Sequence, residues 1–339
     1  MKGIVIWAHS KCRSTFGLYR AIRDAAGVPV RLVSREGIRD YRVDQGQCED
    51  DFADVECPVI GEDWSAAKKV LEETAGWLHL VAAYQVSPVF RKVILSAKRR
   101  GDVVGVISEA PWNAQHGFGR LLWPLYLRTI LRRRVREVVS AADFLMNYSG
   151  DKDETALALG WDRSKIIPFG YFPLPIAARE SANSTDGHKS FKLLATATKD
   201  RLGRGEDIIR AAAKGLNDEV ELVLPEFVGQ DEVVKFYELC DVFIAAGHDE
   251  PWGIRVNDAL NFGKPVLVSD GMGARKLVEE TGAGLVFKSG SAADLAARIR
   301  ELMRNYGHFA VRAREAAGKI SPTAKARELL AEIERRIAK

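Results

Sequence analysis

Cysteine is scarce in this 339-residue chain. The four present, Cys12, Cys48, Cys57 and Cys240, show no Cys-x-x-Cys pair and no His/Cys cluster at zinc-ligand spacing. That argues against a disulfide framework and points to the cytosol. Long apolar runs are missing too, none reaching the roughly 18 residues that a membrane-spanning helix needs. The first residues, MKGIVIWAHS, lack the apolar stretch and small-residue cleavage site of a signal peptide, and are expected to form the first strand. Nor is there a strong excess of one charge: 50 Lys and Arg against 46 Asp and Glu leave a net charge of +4, which by itself selects no partner. No repeat at solenoid spacing is visible. With 47% hydrophobic residues and 28% charged, the composition is that of a globular chain and excludes extended disorder.

What the sequence does contain is a rhythm. Short β-branched runs (Gly3–Trp7, Val30–Ser34, His79–Ala83, Val103–Ser108, Phe144–Tyr148) alternate with amphipathic stretches such as Phe16–Ala26, Val89–Arg99 and Val135–Ala142. This predicts a mostly parallel sheet with helices on both faces. Ile166–Pro175, rich in Pro and aromatics, and the polar Glu180–Lys189 then read as a linker. The rhythm restarts with strands at Phe191–Thr196, Glu219–Leu224, Val242–Ala245 and Pro265–Val268, with helices between them. Thr323–Lys339 reads as one long closing helix after Pro322. The expected organisation is two doubly wound α/β domains, residues 1–172 and 173–322, with 323–339 packing back on the first. Ligands of such sheets bind at the carboxyl ends of the strands, and two facing domains would form a cleft.

The most informative stretch is Cys240–Phe287. It reads as a strand, a loop ending in Glu250-Pro251-Trp252-Gly253, a helix from Gly253, then Gly263-Lys264-Pro265 and another strand. The helix start offers free backbone N–H groups suited to a diphosphate. Glu250 precedes it, and Asp258 follows eight residues later, expected about two turns along on a similar side. Acids flanking an N–H-rich helix start suit a phosphate set between two hydroxyl-bearing sugars. A nucleotide sugar has that layout.

Asp241, Glu250-Pro251-Trp252-Gly253, Asp258-Ala259-Leu260 and Gly263-Lys264-Pro265-Val266 together resemble the donor site of the retaining glycosyltransferases with a Glu-x7-Glu motif (family 4-like) on the B-type, two-Rossmann-domain fold. The resemblance implies that Glu250 meets the transferred sugar, that the backbone around Trp252, Gly253, Ile254 and Arg255 meets sugar and phosphate, and that Asp258 holds the ribose. It further implies that Lys199–Gly205 is the family's basic loop, with Arg204 before Gly205 and either Lys199 or Arg201 neutralising the diphosphate. Cations there would stabilise the departing diphosphate without a metal or other cofactor. The second acid is Asp instead of the usual Glu, Lys276 stands where the family often has an acid, and the stretch from Leu224 to Glu238 is short enough to trim one β-α unit. The donor expected is a UDP-sugar first and a GDP-sugar second. The activity expected is hexosyl transfer to a glycan or lipid-linked acceptor in surface polysaccharide biosynthesis.

In the first half, strand Val103–Ser108 ends in Glu109, with His116 in the loop beyond it. Related enzymes place a His or an acid at that strand end, which makes Glu109 a second catalytic candidate and His116 an acceptor-side one. His9 and Lys11, expected in the loop after the first strand, join them; the loop has no Gly-rich dinucleotide fingerprint. The segment Phe118–Val138 mixes Trp123, Tyr126 and several leucines with Arg128, Arg132, Arg133, Arg134 and Arg136. This suits peripheral contact with an anionic membrane, on the inner face of the cell membrane for a cytoplasmic enzyme. A core helix with a basic solvated face is the plain alternative. The rival functions are a nucleotide-sugar epimerase, a phosphorylase, or a non-enzymatic basic protein. No nucleic-acid partner is expected.

Overall fold

The structure is a computed structural model and describes residues 1–43, 47–109, 118–173, 190–195, 205–225 and 230–338. The chain divides into two compact units, Met1–Leu174 with Pro322–Lys339, and Pro175–Ser321.

The first unit holds a six-stranded parallel sheet of β1 (Ile4–Lys11), β2 (Val30–Ile38), β3 (Leu78–Val81), β4 (Val103–Ser108), β5 (Phe144–Asn147) and β6 (Ile166–Pro168), in the order β2-β1-β3-β4-β5-β6. Strand order reverses between β1 and β3, the topological switch point at which such sheets bind ligands. Helices α1 (Arg13–Ala25), α2 (Asp40–Val43), α3 (Trp64–Glu73), α4 (Pro88–Arg99), α5 (Phe118–Tyr126), α6 (Arg132–Ala141) and α7 (Glu154–Leu159) belong to this unit. The central strand β1 is buried on both faces. Val5 and Trp7 pack with α4 and α6, while Ile4, Ile6 and Ala8 pack with α1. That two-sided burial is why its apolar run is nearly continuous instead of alternating.

Two expectations need correction here. Ile166–Pro168 is no linker but the edge strand β6, hydrogen-bonded to β5, with Ile166 and Ile167 buried. Strands β1 and β2 also run further than their apolar stretches. Ser10 pairs with Glu36 and Lys11 with Ile38 across a bulge, whereas β1 pairs with β3 only over Ile4–Trp7. Ala8–Lys11 and the end of β2 therefore form a two-stranded extension of the sheet. Ala8, Ser10 and Ser34 are buried there, but polar residues break the apolar run and hydropathy alone does not register the extension.

The second unit holds a five-stranded parallel sheet of β7 (Phe191–Ala195), β8 (Val220–Val223), β9 (Val242–Ala245), β10 (Val266–Ser269) and β11 (Gly284–Phe287), ordered β11-β10-β9-β7-β8. Its switch point lies between β7 and β9. Around it stand α8 (Glu206–Lys214), α9 (Gln230–Leu239), α10 (Arg255–Asn261), α11 (Arg275–Thr281), α12 (Ala292–Arg304) and α13 (Tyr306–Lys319). The last helix, α14 (Pro322–Ile337), belongs to the first unit. Ala326, Leu329, Leu330 and Ile333 are buried in that unit's core, and Arg336 donates to the carbonyls of Ser164 and Ile166. Among the described residues, no helix is long and apolar enough to cross a membrane.

Candidate functional site

In the second unit the chain leaves β9 at Ala245 and runs over the sheet end as the loop 246–254. The Glu250 segment is extended. Glu250 forms a parallel bridge with Met272, its carbonyl accepts from the Gly273 N–H at 3.2 Å, and the Trp252 carbonyl accepts from the Ala274 N–H at 2.9 Å. The carboxylate folds over Gly247, where an added Cβ would stand 3.1 Å from Oε2. Trp252 is buried and its indole N–H donates to Asn257 Oδ1 at 2.8 Å. Gly253 then adopts φ +100°, with Met272 Cε only 2.2 Å from where a Cβ would lie. Only glycine fits that turn.

The left-handed Gly253 delays the helix, which begins at Arg255 and not at Gly253. Asp258 consequently sits in the first turn of α10 and Glu250 lies outside the helix, so the two acids do not share a helix face. Asp258 is buried, its carboxylate 3.3 Å from the Arg255 guanidinium, and burial raises its pKa to about 6 against the pull of Arg255. Val256 and Asn257 donate to the carbonyls of Gly253 and Ile254. The N–H groups of Gly253, Ile254 and Arg255 are thus the donors that precede the intrahelical ladder.

Gly205, which ends the basic loop and caps α8 at φ +68°, packs on this same loop: a Cβ there would stand 2.4 Å from the Ala246 carbonyl oxygen. The end of the basic loop and the start of the Glu250 loop therefore meet at the β7/β9 switch point. Lys199, Arg201 and Arg204 lie outside the described residues. Lys276 forms a 3.8 Å surface pair with Glu280 in α11. After Leu224, α9 (Gln230–Leu239) leads into β9.

The first unit has a cavity of about 360 Å³ at the carboxyl ends of β1, β3, β4 and β5. Ile6, Ala8, Leu18, Tyr84, Ile107 and Tyr148 give it an apolar floor, and its polar lining includes His9, Ser14, Thr15, Arg39, Arg42 and Glu109. Glu109 accepts a 2.6 Å hydrogen bond from the Tyr171 hydroxyl, whose pKa is raised by burial and by the Glu109 charge. His9 is on strand β1, not in a loop. Its Nε2 faces the Arg39 guanidinium, and burial together with Arg39 lowers its pKa. It is therefore neutral near pH 7. Lys11, on the same strand, forms a 2.8 Å ion pair with Glu49 and does not line the cavity. His116 lies outside the described residues. Arg39 and Arg42, which the strand pattern missed, are carried there by the extension of β2 into α2.

The Arg-rich segment is α5, one π-helical turn over Leu127–Leu131, and α6. Pro124 lies inside α5 and supplies no N–H, and the wide turn follows it. Of the apolar residues expected to meet lipid, Leu127, Ile130, Leu131 and Val135, three are buried in the core and Ile130 alone of the four is exposed. Trp123 stacks on Tyr126 at 5.4 Å, and both pack against that core. Among the described residues of the segment, Leu122 and Leu125 are exposed as well as Ile130, the last two 60% and 63%. The arginines diverge. Arg132 lies against Gly160 at the end of α7, the charge of Arg134 acts on Arg91 of α4, and Arg133 is exposed.

Residues 203–320 match the model of the family described as glycosyl transferases group 1. Among solved structures, the chain is similar to a glycosyltransferase from Rickettsia africae ESF-5, with 12% identity, 99% of each chain covered and a TM-score of 0.66. It is similar to Anabaena Alr3699/HepE in complex with UDP, with 14% identity, all of both chains covered and a TM-score of 0.65. A third similar structure is the apo form of the lipopolysaccharide outer core galactosyltransferase WaaB, at 11% identity over 98% of this chain and 99% of that one, with a TM-score of 0.65. No curated protein matches the sequence. Two parallel sheets with helices are the two-Rossmann-domain architecture of these enzymes. The chain thus carries a glycosyl transferases group 1 domain on the B-type glycosyltransferase fold, and it is a glycosyltransferase.

Proposed function

We propose that the protein transfers a hexose, with retention of configuration, from a UDP-sugar to a hydroxyl of a glycan or lipid-linked acceptor in surface polysaccharide biosynthesis. The carrying observation is the junction at the β7/β9 switch point. Gly205 is pressed on Ala246, and the Glu250 loop is pinned to 272–274. In this reading Glu250 takes the hydroxyls of the transferred sugar. The N–H groups of Gly253–Arg255 meet the phosphates, and Asp258 takes the ribose. Arg204 with Lys199 or Arg201 completes the charge on the diphosphate as it leaves. Glu109, which accepts from Tyr171, is the second catalytic residue of this reading, and His9 and His116 are its acceptor-side candidates.

A UDP-sugar as the donor is favoured by the UDP complex of the Anabaena protein; a GDP-sugar is the second choice. The cations named above replace a divalent ion in the proposed mechanism. The exposed Leu122, Leu125 and Ile130, with Arg128 and Arg133, are proposed to rest on an anionic membrane at the cytoplasmic face. A ligand that binds only the folded state raises the melting temperature. UDP at about a hundred times its dissociation constant should therefore stabilise the protein by roughly 2.7 kcal/mol. The shift should exceed that from ADP or CDP, and it should persist in EDTA. A shift that vanishes in EDTA and returns with Mg²⁺ would overturn the metal-free mechanism, and equal shifts from all nucleotides would overturn the base preference.

A further inference from the structure

Two acids of the second unit are carried by different pieces of chain, and one buried side chain ties the pieces together. Glu250 lies on the extended segment whose backbone accepts from Gly273 and Ala274, whereas Asp258 lies on α10. Between them Gly253 turns left-handed at φ +100°. Glycine has the widest backbone freedom of any residue, and a tie across it limits that freedom.

The tie is Asn257. Its Oδ1 accepts from the Trp252 indole N–H at 2.8 Å, closing a loop over the left-handed glycine, and both side chains are buried. An indole N–H is a donor and nothing else, so the carboxamide must present its oxygen there. The other end, Nδ2, is then buried with no hydrogen-bond partner among the described residues. A stranded buried donor destabilises a fold, and a Phe–Leu pair would fill the two positions without one. Stability therefore does not account for the asparagine. What it does, and a leucine could not, is fasten Trp252, two residues from Glu250, to the helical turn whose next residue is Asp258.

We infer that Asn257 is a positioning residue for transfer: through Trp252 it sets Glu250 relative to Asp258, and with them the donor's sugar relative to its nucleotide. The inference rests on the donor-site reading of the two acids, and in it Asn257 touches neither sugar nor nucleotide. A shift of about an ångström at a reacting group costs up to about a hundredfold in rate. Contacts to the nucleotide from α10 outlast the loss of the tie, so the loss appears in turnover and not in nucleotide affinity.

The test compares the full-length wild type with Asn257→Leu, Trp252→Phe and the double variant. It measures UDP affinity, melting temperature and hydrolysis at saturation of whichever of UDP-glucose, UDP-galactose and UDP-N-acetylglucosamine the wild type cleaves fastest. Asn257→Leu should bind UDP within about threefold of wild type and turn over at least about tenfold more slowly. The double variant, with no stranded donor left, should melt at or above wild type and still turn over about tenfold more slowly. A purely structural role makes turnover follow stability, so recovery in the double variant to within about twofold of wild type would overturn the inference. A loss of UDP affinity in Asn257→Leu as large as its loss of turnover would do the same. If the double variant melts early, Asn257→Asp decides: it keeps the acceptor oxygen but buries a charge. It should turn over faster than Asn257→Leu despite lower stability, and a slower rate contradicts the tie. Wild type that binds no UDP, or cleaves none of the three donors, contradicts the donor reading itself.

Discussion

Asp258 shows how one residue couples stability to the proposed chemistry. A carboxyl buried beside a single guanidinium holds its proton up to about pH 6, whereas in the unfolded chain it ionises near its ordinary value. Between about pH 4 and pH 6 the native state binds more protons than the unfolded state, so stability falls as pH rises through that window and stays lower above it. The penalty is on the order of 1–3 kcal/mol. Asp258→Asn should flatten that part of the pH–stability curve and leave the melting temperature at pH 7.5 equal or higher. It should also weaken UDP binding about tenfold by losing the ribose acceptor. Chemical denaturation across pH 4–8 with UDP titration checks both, and unchanged UDP affinity would remove Asp258 from the site. Glu250 and Asp258 stood out as candidates in the residue pattern, because Trp-Gly and Gly-Lys-Pro frame them. Their relative placement was hidden, since helical spacing cannot register that Gly253 turns left-handed and delays the helix. The Trp252–Asn257 bond was equally hidden: an Asn in a helix reads as a surface residue until its burial is known.

At the level of elements, hydropathy located the strand cores and lost their ends. His9, Arg39 and Arg42 fall on or beside the extension of β1 and β2, so the apolar pattern stops before the part that lines the cavity. The Arg-rich segment fails in the opposite way. Its Leu127, Ile130, Leu131 and Val135 look like a lipid-facing stripe, yet the packing of α6 on α4 and α7 claims all but Ile130 for the core. The exposed surface that remains is Leu122, Leu125 and Ile130 with Arg128 and Arg133. Each arginine near an anionic surface contributes about 1 kcal/mol, and each buried methylene about 0.8 kcal/mol. Leu125→Ser with Ile130→Ser should therefore reduce sedimentation with anionic vesicles several-fold without lowering the melting temperature, because neither side chain is in the core. Arg133→Glu should do the same and more strongly at low salt. Binding that is indifferent to all three changes, or equal on neutral vesicles, returns the segment to a solvated basic face.

For the molecule as a whole, the alternating rhythm was enough to give two parallel sheets, and amino-acid composition enough to exclude extended disorder. The chain passes from the first unit to the second near Leu174 and returns at Pro322, where α14 completes the first unit's core with Leu329 and Ile333. Each sheet has its candidate site residues near its own switch point, β1/β3 in one and β7/β9 in the other. The account's central claim is that the loop after β9 holds a sugar nucleotide for transfer, with Glu250 acting on the sugar and not on the nucleotide. The most direct test compares UDP affinity and sugar turnover, as hydrolysis of the UDP-sugar or transfer to an acceptor, in the wild type and in Glu250→Gln. Loss of a contact made chiefly in the transition state predicts UDP affinity within about threefold and turnover lower by about a hundredfold or more. Turnover that survives the substitution, or UDP binding that collapses with it, would contradict the account.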